Sequence, residues 1–284
     1  MVDERMTNSD RIAVVTGATS GIGLVMAMEI ARGGAHTIIV GRDRAKTDGV
    51  VARVREQTGN AKVEAALADF LVLNDVRALA ADLRARLPHI DVLVHNAGAF
   101  FTSRALTVDG QERSFAGNHL APFLLTELLR DRLSARSRIV VTASGAHSAG
   151  KIFFDDVTLA GHFSAWRAYA QSKLANVLFV RELARRLPAL VTATCFHPGM
   201  VGTAIGAQNF RVIGAIWKAI GPVLFRTPAR GARTGVWLAT SPDVEGHSGG
   251  YYVDETLRDA AAQGRDDDVA RRLWALSEQL TQAR

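Results

Sequence analysis

The feature that most limits the fold is an apolar run near the N-terminus that ends in a glycine-rich turn. Arg11–Thr16 reads as a buried β-strand, and a helical pattern covers about Ile22–Gly33. Between them, Gly17, Gly21 and Gly23 give the spacing G-x-x-x-G-x-G. Glycines at such a junction let the backbone approach a pyrophosphate, which the helix N-terminus then binds through its free N–H groups and dipole. The junction therefore predicts a nucleotide site, with an ordinary tight turn as the alternative.

Strands and helices alternate through most of the remaining chain. Near-continuous apolar runs rich in Val and Ile fit strands that are buried on both faces of a parallel sheet. Their alternation with helices implies right-handed βαβ units, so we predict an α/β fold with a single doubly wound Rossmann-type parallel sheet and helices on both faces. The further strands are expected at Thr37–Val40, Lys62–Leu67, Ile90–Val94, Arg138–Thr142 and Val191–Phe196, and the further helices up to about Gln57, near Asn74–Leu87, near Asn118–Leu133 and around Tyr169.

No internal repeat, low-complexity segment or linker divides the 284 residues, so we expect 1–284 to form one domain. Apolar residues at helical spacing between Thr203 and Pro228 predict an amphipathic substrate lid at about 204–227 over an apolar pocket. Core packing, membrane-surface contact and partner docking are the alternatives for this segment. A helical tail is expected at about 265–284.

Composition and charge exclude several kinds of function. With 48% hydrophobic and 22% charged residues, the chain is typical of a globular protein. The formal charge of +6 could indicate a nucleic-acid partner. However, the basic residues are mostly arginines scattered near acids, without a long basic run, so we expect no such partner. The histidines lack metal-ligand spacing, so no metal is expected.

A cytoplasmic location is the default expectation. Cys195 is the only cysteine, so no internal disulfide can form, and its apolar surroundings predict a buried, unreactive thiol. Residues 1–10 are polar and lack an apolar signal core. The most apolar later stretch, Val212–Phe225, is too short and too interrupted to span a bilayer.

The residues after the second strand distinguish the nicotinamide cofactors. An acidic residue at this place would bind the adenosine ribose 2′-hydroxyl of NAD. The chain instead has Gly41, which offers no carboxylate, and Arg42, whose guanidinium suits a 2′-phosphate. Asp43 complicates the assignment, but it could instead be the N-cap of the next helix. We predict NADP, with NAD as the less favoured cofactor.

Tyr169 and Lys173 are four residues apart, which places them on one face of a helix. A phenol with an ordinary pKa of about 10 is a poor base at neutral pH. A lysine cation beside it would favour the phenolate and lower that pKa, which makes an acid/base for an alcohol oxygen. Since Tyr-x-x-x-Lys also arises by chance in ordinary helices, the pair alone does not establish catalysis.

Several ordered motifs resemble those of the short-chain dehydrogenase/reductase family, over roughly Ile12–Val253. Thr16–Gly23 is similar to the family's T-G-x-x-x-G-I-G. Further similar motifs are Ala68-Asp69-Phe70, His95-Asn96-Ala97-Gly98 (with His95 in place of an asparagine) and Pro198-Gly199-Met200-Val201-Gly202-Thr203. The retinol-dehydrogenase-like and WW-domain-oxidoreductase-like branch is most similar at Thr107–Glu112, Asn118–Leu120, Leu124–Thr126, Ser144–His147 and Tyr169–Asn176.

The resemblance implies an NADP-preferring enzyme that interconverts a carbonyl and an alcohol by hydride transfer. Tyr169 would be the acid/base, and Lys173 would hold the nicotinamide ribose and lower the tyrosine pKa. Ser144 would hydrogen-bond the substrate oxygen, and Asn118 would hold a water that passes the proton toward solvent. The residues implied to bind the cofactor are Gly17, Thr19, Ser20, Gly21, Ile22, Gly23, Arg42, Asp69, Asn96, Ala97, Gly98, Tyr169, Lys173, Pro198, Gly199, Val201 and Thr203.

Other readings of these residues remain open. Ser144 could merely cap the end of a strand, and Asn118 could be a helix N-cap. His119 and His147 are not needed by the mechanism, and we expect both to be structural. The rival function is a catalytically idle regulator that senses NADP(H) and binds a partner. Such a protein would be expected to lack one of the catalytic side chains, which are all present here.

The branch resemblance also implies the partners. The substrate would be a small lipophilic aldehyde, ketone or alcohol, retinoid-like or steroid-like in character. In this family the helices that bear Asn118 and Tyr169 commonly form dimer faces. We therefore expect a homo-oligomer.

Overall fold

The structure, a computed structural model, describes residues 8–200 and 226–283. The β-strands are β1 (Ile12–Thr16), β2 (His36–Gly41), β3 (Val63–Leu67), β4 (Ile90–His95), β5 (Leu133–Thr142), β6 (Thr192–His197), β7 (Tyr251–Val253) and β8 (Thr256–Arg258). The α-helices are α1 (Gly21–Arg32), α2 (Arg44–Thr58), α3 (Leu73–Arg86), α4 (Arg113–Phe115), α5 (Ala121–Leu129), α6 (Ala165–Arg186), α7 (Pro228–Thr240) and α8 (Asp267–Thr281). All but the last two residues of the expected lid, at 226 and 227, lie outside the described residues.

The strands form one sheet in the order β3-β2-β1-β4-β5-β6-β7-β8. Neighbouring strands are parallel except β7 and β8, which pair antiparallel. The chain runs outward from β1 to β3, then crosses back to β4 on the other side of β1. The predicted doubly wound sheet is confirmed. The reversal of strand order beside β1 opens a crevice at the carboxyl ends of the strands.

Alternate residues of a strand point to opposite faces of the sheet. In β1, Ile12 and Val14 belong to the core beneath α3, α5 and α6. Ala13 and Val15 belong to the core beneath α1, α2 and α7. Both faces are therefore covered by helices, which is why the strand sequences are near-continuous apolar runs rather than alternating ones.

The helix expected near Asn118–Leu133 has different boundaries. It starts with α4, continues through a π-helical turn at Ala116–Leu120 and ends with α5 at Leu129. The start is set by Glu112, whose buried carboxylate accepts hydrogen bonds from the N–H groups of the first α4 residues. Apolar periodicity does not report such a cap, so the earlier start was not visible in the pattern.

Strands β7 and β8 and helix α7 were not among the expected elements. Each of the two strands is three residues long, too short to show a hydrophobic period. Their extended backbone comes from pairing, since Cys195 of β6 lies opposite Tyr251, and Tyr251 lies opposite Arg258. Pairing of β7 with the distant β6, and of β8 with β7, thus defines this end of the sheet.

Helix α8 packs against α6 and α5 through an aromatic cluster. The ring of Trp274 lies 4.9 Å from that of Phe123 and 6.0 Å from that of Phe179, measured between centroids. His119 contacts the same helix through a 2.8 Å hydrogen bond between its Nε2 and the Oγ of Ser277. The C-terminal helix thereby covers part of the outer face of the helices that follow β4 and carry Tyr169.

Candidate active site

The described site residues lie along the carboxyl edge of the sheet, beside the reversal of strand order. Gly17 follows β1, Asn96 follows β4, Ser144 follows β5 and Pro198 follows β6. In a doubly wound sheet, ligands bind in the crevice that the loops at this edge form. The topology thus brings together motifs that are far apart in the sequence.

The glycine-rich turn between β1 and α1 leaves no room for side chains. Gly17 has a positive φ of 63°, and a Cβ there would lie 2.7 Å from the Cα of Ala97. A Cβ on Gly23 would lie 2.3 Å from the Nδ2 of Asn96. Both distances are too short for a real contact, so these positions require glycine. The backbone of the turn is consequently open to a close-lying ligand.

The start of α1 suits an anion. Ser20 is the N-cap residue, has an extended backbone and makes no capping hydrogen bond with its side chain. The N–H groups of a first helical turn lack partners within the helix and carry partial positive charge. Together with the bare glycine backbone, these donors form a cradle that fits a pyrophosphate. The residues of this cradle in the predicted set are Gly17, Thr19, Ser20, Gly21, Ile22 and Gly23.

Thr16, which the predicted set of site residues does not include, ties this turn to the loop after β4. Its Oγ1 donates to the carbonyl of Val94 at 3.1 Å and accepts from the N–H groups of Asn96 at 3.0 Å and Ala97 at 3.1 Å. In return, the Nδ2 of Asn96 donates to the carbonyl of Gly17 at 3.2 Å. One hydroxyl therefore sets the position of both cofactor motifs. Thr16 is the first residue of the glycine motif, which was the signal for it.

Arg42 follows directly after β2 and is exposed. Within residues 8–200 and 226–283 it forms no hydrogen bond or ion pair, whereas the nearby Arg44 lies 3.7 Å from Asp48. The Oδ1 of Asp43 accepts a 2.7 Å hydrogen bond from the N–H of Lys46 and caps α2. The N-cap alternative for Asp43 is confirmed. Arg42 is thus a cation available to a phosphate at the end of β2.

Asp69, in the loop after β3, orders its own turn. Its Oδ1 accepts a 2.9 Å hydrogen bond from the N–H of Leu71, and its own N–H donates to the Oδ2 of Asp75 at 3.2 Å. The loop is held in place by these bonds at the same carboxyl edge of the sheet. The contact of Asp69 with adenine stays a prediction.

Tyr169, Ser144 and Lys173 converge at the end of β5. The side chain of Ser144 lies close enough to the Tyr169 hydroxyl to lower the tyrosine pKa. The Nζ of Lys173 donates to the carbonyl of Thr142 at 2.9 Å and lies 5.7 Å from the centre of the Tyr169 ring. In the part of the chain that the structure describes, Thr142 provides the one acceptor for this buried ammonium. An ammonium has three donors, so further N–H groups remain for a ligand.

The pKa values of Tyr169 and Lys173 differ from those predicted from the sequence in one respect. Burial raises the pKa of Tyr169, and the hydrogen bond with Ser144 offsets this only in part. The lowering expected from Lys173 does not prevail, because desolvation disfavours the phenolate more. Burial also lowers the pKa of Lys173 to about 8. Both groups therefore carry their protons at neutral pH in the protein alone.

Asn118 lies inside the π-helical turn and is not an N-cap, so that alternative is wrong. Its Oδ1 accepts from the N–H of Ala99 at 2.8 Å, and its Nδ2 donates to the carbonyl of Ala99 at 3.0 Å and to the Oγ of Ser172 at 2.9 Å. A Cβ on Gly98 would lie 3.1 Å from the Asn118 Oδ1 and 3.6 Å from the Lys173 Nζ. The amide therefore holds the loop after β4 beside the lysine. Ser172 gave no signal in the sequence, since its partner is distant in the chain.

The capping alternative for Ser144 coexists with its contact to Tyr169. Ser144 is the N-cap of a 3-10 turn at Gly145–Ala149, and its Oγ accepts from the N–H of Ala146 at 3.2 Å. A hydroxyl can accept one hydrogen bond and still contact a second group. The hydrogen bond from Ala146 thereby orients the Ser144 hydroxyl, which also lies beside Tyr169.

Aromatic side chains that sequence reasoning missed border Tyr169. The ring of Phe100 meets the Tyr169 ring edge-on at 5.4 Å, and the Trp166 ring lies 6.4 Å away. Trp166 is 55% exposed, which is high for so large an apolar side chain. Its spacing of three residues from Tyr169 on α6 is the available signal, since such residues share a helix face. The ring of Tyr169 is therefore bordered by aromatic side chains.

The loop after β6 is described only in part. Gly199 has a positive φ of 80°, and the side chain of Arg226 lies where a Cβ on it would be. The N–H of Arg226 donates to the carbonyl of Met200 at 2.7 Å. Val201 and Thr203, both predicted to bind the cofactor, lie outside the described residues.

His95 and His119 are fully buried. The Nε2 of His95 lies 2.8 Å from the Oγ1 of Thr126, and His119 lies among the aromatic rings beneath α8. Burial lowers the pKa of each imidazole to about 3. His95, which replaces an asparagine of the family motif, thus packs against α5 as a neutral group. His119 makes its contacts within the core.

These buried histidines predict an acid-dependent stability. Below about pH 6.5 these histidines bind protons in the unfolded chain but stay neutral in the native protein. The free energy of unfolding therefore falls by about 1.4 kcal/mol per pH unit for each of the two histidines. The loss runs from the ordinary histidine pKa down to about 3. In urea titrations at a series of pH values, we expect His95→Asn to remove the contribution of one proton, about 1.4 kcal/mol per pH unit, from this slope. His162→Asn, at an exposed position, is the control; equal slopes in wild type and His95→Asn would contradict the prediction.

Residues 8–200 and 226–283 contain neither a membrane-spanning helix nor a cluster of metal-ligating side chains. No helix there is long and apolar enough to cross a membrane. No group of three or more His, Cys, Asp or Glu side chains there is placed to hold a metal ion. Cys195 is buried, and burial raises its pKa far above the ordinary thiol value, as an unreactive thiol requires.

Known proteins that are similar to this chain show its family. The family profile of the short chain dehydrogenases matches residues 11–212. A Streptomyces sp. (strain C5) protein named as a daunorubicin C-13 ketoreductase is 43% identical over 268 residues, which cover 94% of this chain and 91% of that protein. Retinol dehydrogenase 14 of Mus musculus is 39% identical over 283 residues, covering 94% of this chain and 85% of that enzyme.

A solved structure shares the architecture. The crystal structure of a short chain dehydrogenase from Shigella flexneri 2a strain 301 in complex with NADP superposes with a TM-score of 0.67 at 28% identity. The match covers 85% of this chain and 95% of that one. The two chains therefore share the fold over most of their length.

Proposed function

Since this chain belongs to the short chain dehydrogenase family and is an oxidoreductase of that family, we propose that it prefers NADP and interconverts a carbonyl and an alcohol on a lipophilic substrate. The observation that carries the proposal is that Tyr169 and Lys173 lie on one helix, with the Lys173 ammonium 5.7 Å from the centre of the tyrosine ring. The Ser144 side chain lies close enough to lower the tyrosine pKa. These groups lie at the crevice whose other wall is the glycine cradle.

The proposed chemistry assigns one proton to the protein. NADP(H) supplies the hydride in reduction and accepts it in oxidation. Tyr169 donates its hydroxyl proton to the carbonyl oxygen in reduction and takes it back from the alcohol in oxidation. Ser144 hydrogen-bonds the same oxygen, where negative charge develops. The buried Lys173 cation favours the phenolate that remains after the proton has left Tyr169.

Asn118 holds the frame around these groups in the proposed mechanism. Its side chain keeps the loop at Ala99 and the helix at Ser172 in place. An amide oxygen has two lone pairs, and the bond from the Ala99 N–H uses one of them. The second can accept from a water that passes the proton from Lys173 toward solvent.

The preference for NADP rests on Arg42. Its exposed guanidinium has no described partner and stands at the end of β2, where the adenosine ribose would lie. A planar guanidinium binds phosphate by paired, charge-assisted hydrogen bonds. The NADP complex of the Shigella flexneri relative supports the same cofactor.

The lipophilic substrate is supported by the aromatic side chains beside the tyrosine ring. Phe100 and Trp166 flank Tyr169, and the nearby loop after β6 exposes 60% of Met200. The relatives named for daunorubicin and retinol handle large, poorly soluble molecules of this kind. Apolar side chains around a few polar groups are typical of such sites.

A homo-oligomer remains part of the proposal, but a different face from the expected one is favoured. Helix α8 already occupies part of the outer surface of α5 and α6, with Trp274 only 3% exposed. Association across that surface would have to displace a buried tryptophan. The edge of the sheet and α7 do not carry this restriction.

Turnover of a carbonyl panel tests the proposal. Purified protein is incubated with NADPH or NADH and a set of aldehydes and ketones, from short polar to large apolar, and loss of reduced cofactor is followed by absorbance. We expect NADPH-dependent reduction that improves with apolar size. The rival function, an idle NADP(H) sensor, would instead show NADPH binding without turnover of any member in either direction.

A further inference from the structure

The peptide that follows the serine at the end of β5 is held on both edges by histidines. Its carbonyl, on Ser144, accepts a hydrogen bond from the Nδ1 of His147 at 2.8 Å. Its N–H, on Gly145, donates to the Nδ1 of His197 at 3.1 Å. A single peptide plane between two imidazoles has little freedom to rotate. His147 lies within the 3-10 turn that Ser144 caps, and His197 holds the peptide from outside that turn.

The bonds define the tautomer of His147. Its Nε2 accepts from the N–H of Ala261 at 3.1 Å, so this nitrogen carries no proton. The Nδ1 must then carry it and donate to the Ser144 carbonyl. The ring is buried against Tyr251, with 4.7 Å between centroids. His147 therefore connects the serine to the segment that precedes α8, far along the chain.

The bonds also define the tautomer of His197, and it is the opposite one. Its Nδ1 accepts the N–H of Gly145 and, at 3.3 Å, the N–H of Gly199. The proton of the neutral ring consequently lies on Nε2. His197 is the last residue of β6, so it joins the serine loop to the loop after β6.

We propose that His147 and His197 are positioning residues that clamp the Ser144–Gly145 peptide and aim the serine hydroxyl at the substrate oxygen. This inference rests on the proposed function of Ser144. Neither ring contacts the reacting atoms, and each acts through the backbone. The clamp works only while both rings are neutral, because a second proton on His197 would point an N–H at the two donors of Gly145 and Gly199.

The surroundings keep both rings neutral. Burial lowers the pKa of His197, and the Arg226 guanidinium and His147 lower it further, while the carboxylate of Asp254 raises it. That carboxylate is largely engaged, since Arg226 Nη2 donates to it at 2.9 Å. Burial likewise lowers the pKa of His147, against the opposing effect of its bond to Ser144. The clamp is thus intact at neutral pH and opens in acid, below the ordinary histidine pKa of about 6.5.

Two substitutions at His197 separate the clamp from simple packing. His197→Asn keeps an acceptor, because its Oδ1 takes the place of the Nδ1, and it does not titrate. His197→Leu keeps the bulk without an acceptor. At neutral pH we expect His197→Leu to lower kcat by about tenfold or more, and His197→Asn to stay within about threefold of wild type, since small misplacements near the chemistry are costly. Thermal unfolding of all three proteins shows whether each is folded.

The pH profile supplies the readout that packing alone would not move. The ratio of kcat for His197→Asn to that of wild type should rise as the pH falls below about 6.5, because only wild type loses an acceptor. Parallel profiles, or full activity in folded His197→Leu, would overturn the clamp. Should His197→Leu fail to fold, the comparison of His197→Asn with wild type still decides.

A measurement without turnover keeps this inference separate from the proposed function. Nitrogen-15 shifts of the histidine rings report tautomers directly. We expect a neutral His197 protonated on Nε2 and a neutral His147 protonated on Nδ1 at neutral pH. The reverse assignment for either ring would overturn the clamp even if the carbonyl panel succeeds. If both rings show the expected tautomers but the protein turns over no carbonyl, the proposed function is wrong and the clamp geometry is retained.

Discussion

Replacement of Tyr169 by phenylalanine is expected to lower kcat/KM for carbonyl reduction by about a thousandfold, within the range that a positioned general acid contributes. The change removes the one hydroxyl that meets Ser144 and leaves the ring, with its contacts to Phe100 and Trp166, in place. The protein should remain folded, and its dissociation constant for NADPH, measured by fluorescence titration, should stay close to that of wild type.

Tyr252→Phe is the matched control, because it deletes the same atom from a buried tyrosine that packs on the opposite face of the sheet beside Trp237. We expect its activity to match that of wild type. If wild type and Tyr169→Phe turn over substrate equally fast, the tyrosine is not the acid. If both are inert while NADPH still binds, the idle regulator becomes the better description.

Replacement of Arg42 by alanine is expected to weaken NADPH binding by about 30-fold, since a hydrogen bond to a charged group contributes roughly 2 kcal/mol. NADH lacks the 2′-phosphate, so its dissociation constant should change by less than about twofold. The physical reason is that Arg42 is exposed and has no partner among the described residues, so its loss disturbs no other contact. Titrations with both cofactors measure the difference.

Arg44→Ala controls for net charge in the same stretch. Arg44 is exposed as well, but it lies 3.7 Å from Asp48 on α2 and points its charge to that carboxylate. We expect little change for either cofactor. Equal losses of NADPH and NADH affinity in Arg42→Ala would remove the basis for the NADP preference. The preference would also fail if Arg44→Ala discriminated between the two as strongly.

The long buried strands could be predicted because they are paired on both sides and covered on both faces. Strands β1, β2 and β4 are mostly apolar runs, and the boundaries of these strands and of β6 agree with expectation to within a residue or two. The short strands β7 and β8 could not be predicted. Strand β7 depends on its pairing with β6, more than 50 residues earlier in the chain, and β8 depends on its pairing with β7.

The candidate site divides in the same way. Residues with distinctive local chemistry, such as the glycines at the start of α1 and the Tyr169–Lys173 pair, could be identified because one turn of helix or one loop contains the whole pattern. Ser172 and His197 could not, because each acts through a hydrogen bond whose partner lies more than 50 residues away in the chain. The direction of the Tyr169 pKa shift could not be predicted from the sequence either, since desolvation depends on packing that a sequence does not display.

By itself, then, the sequence determined the class of fold, which follows from the periodicity of its apolar residues. It also predicted the nucleotide turn and, through the family resemblance, the groups that would move a proton. Only the tertiary structure decided how those groups meet: that Asn118 braces a loop instead of starting a helix, that α8 covers the expected dimer face, and that the Ser144–Gly145 peptide lies between two imidazoles. Hydrogen bonds and burial between distant segments exist only once the chain has folded.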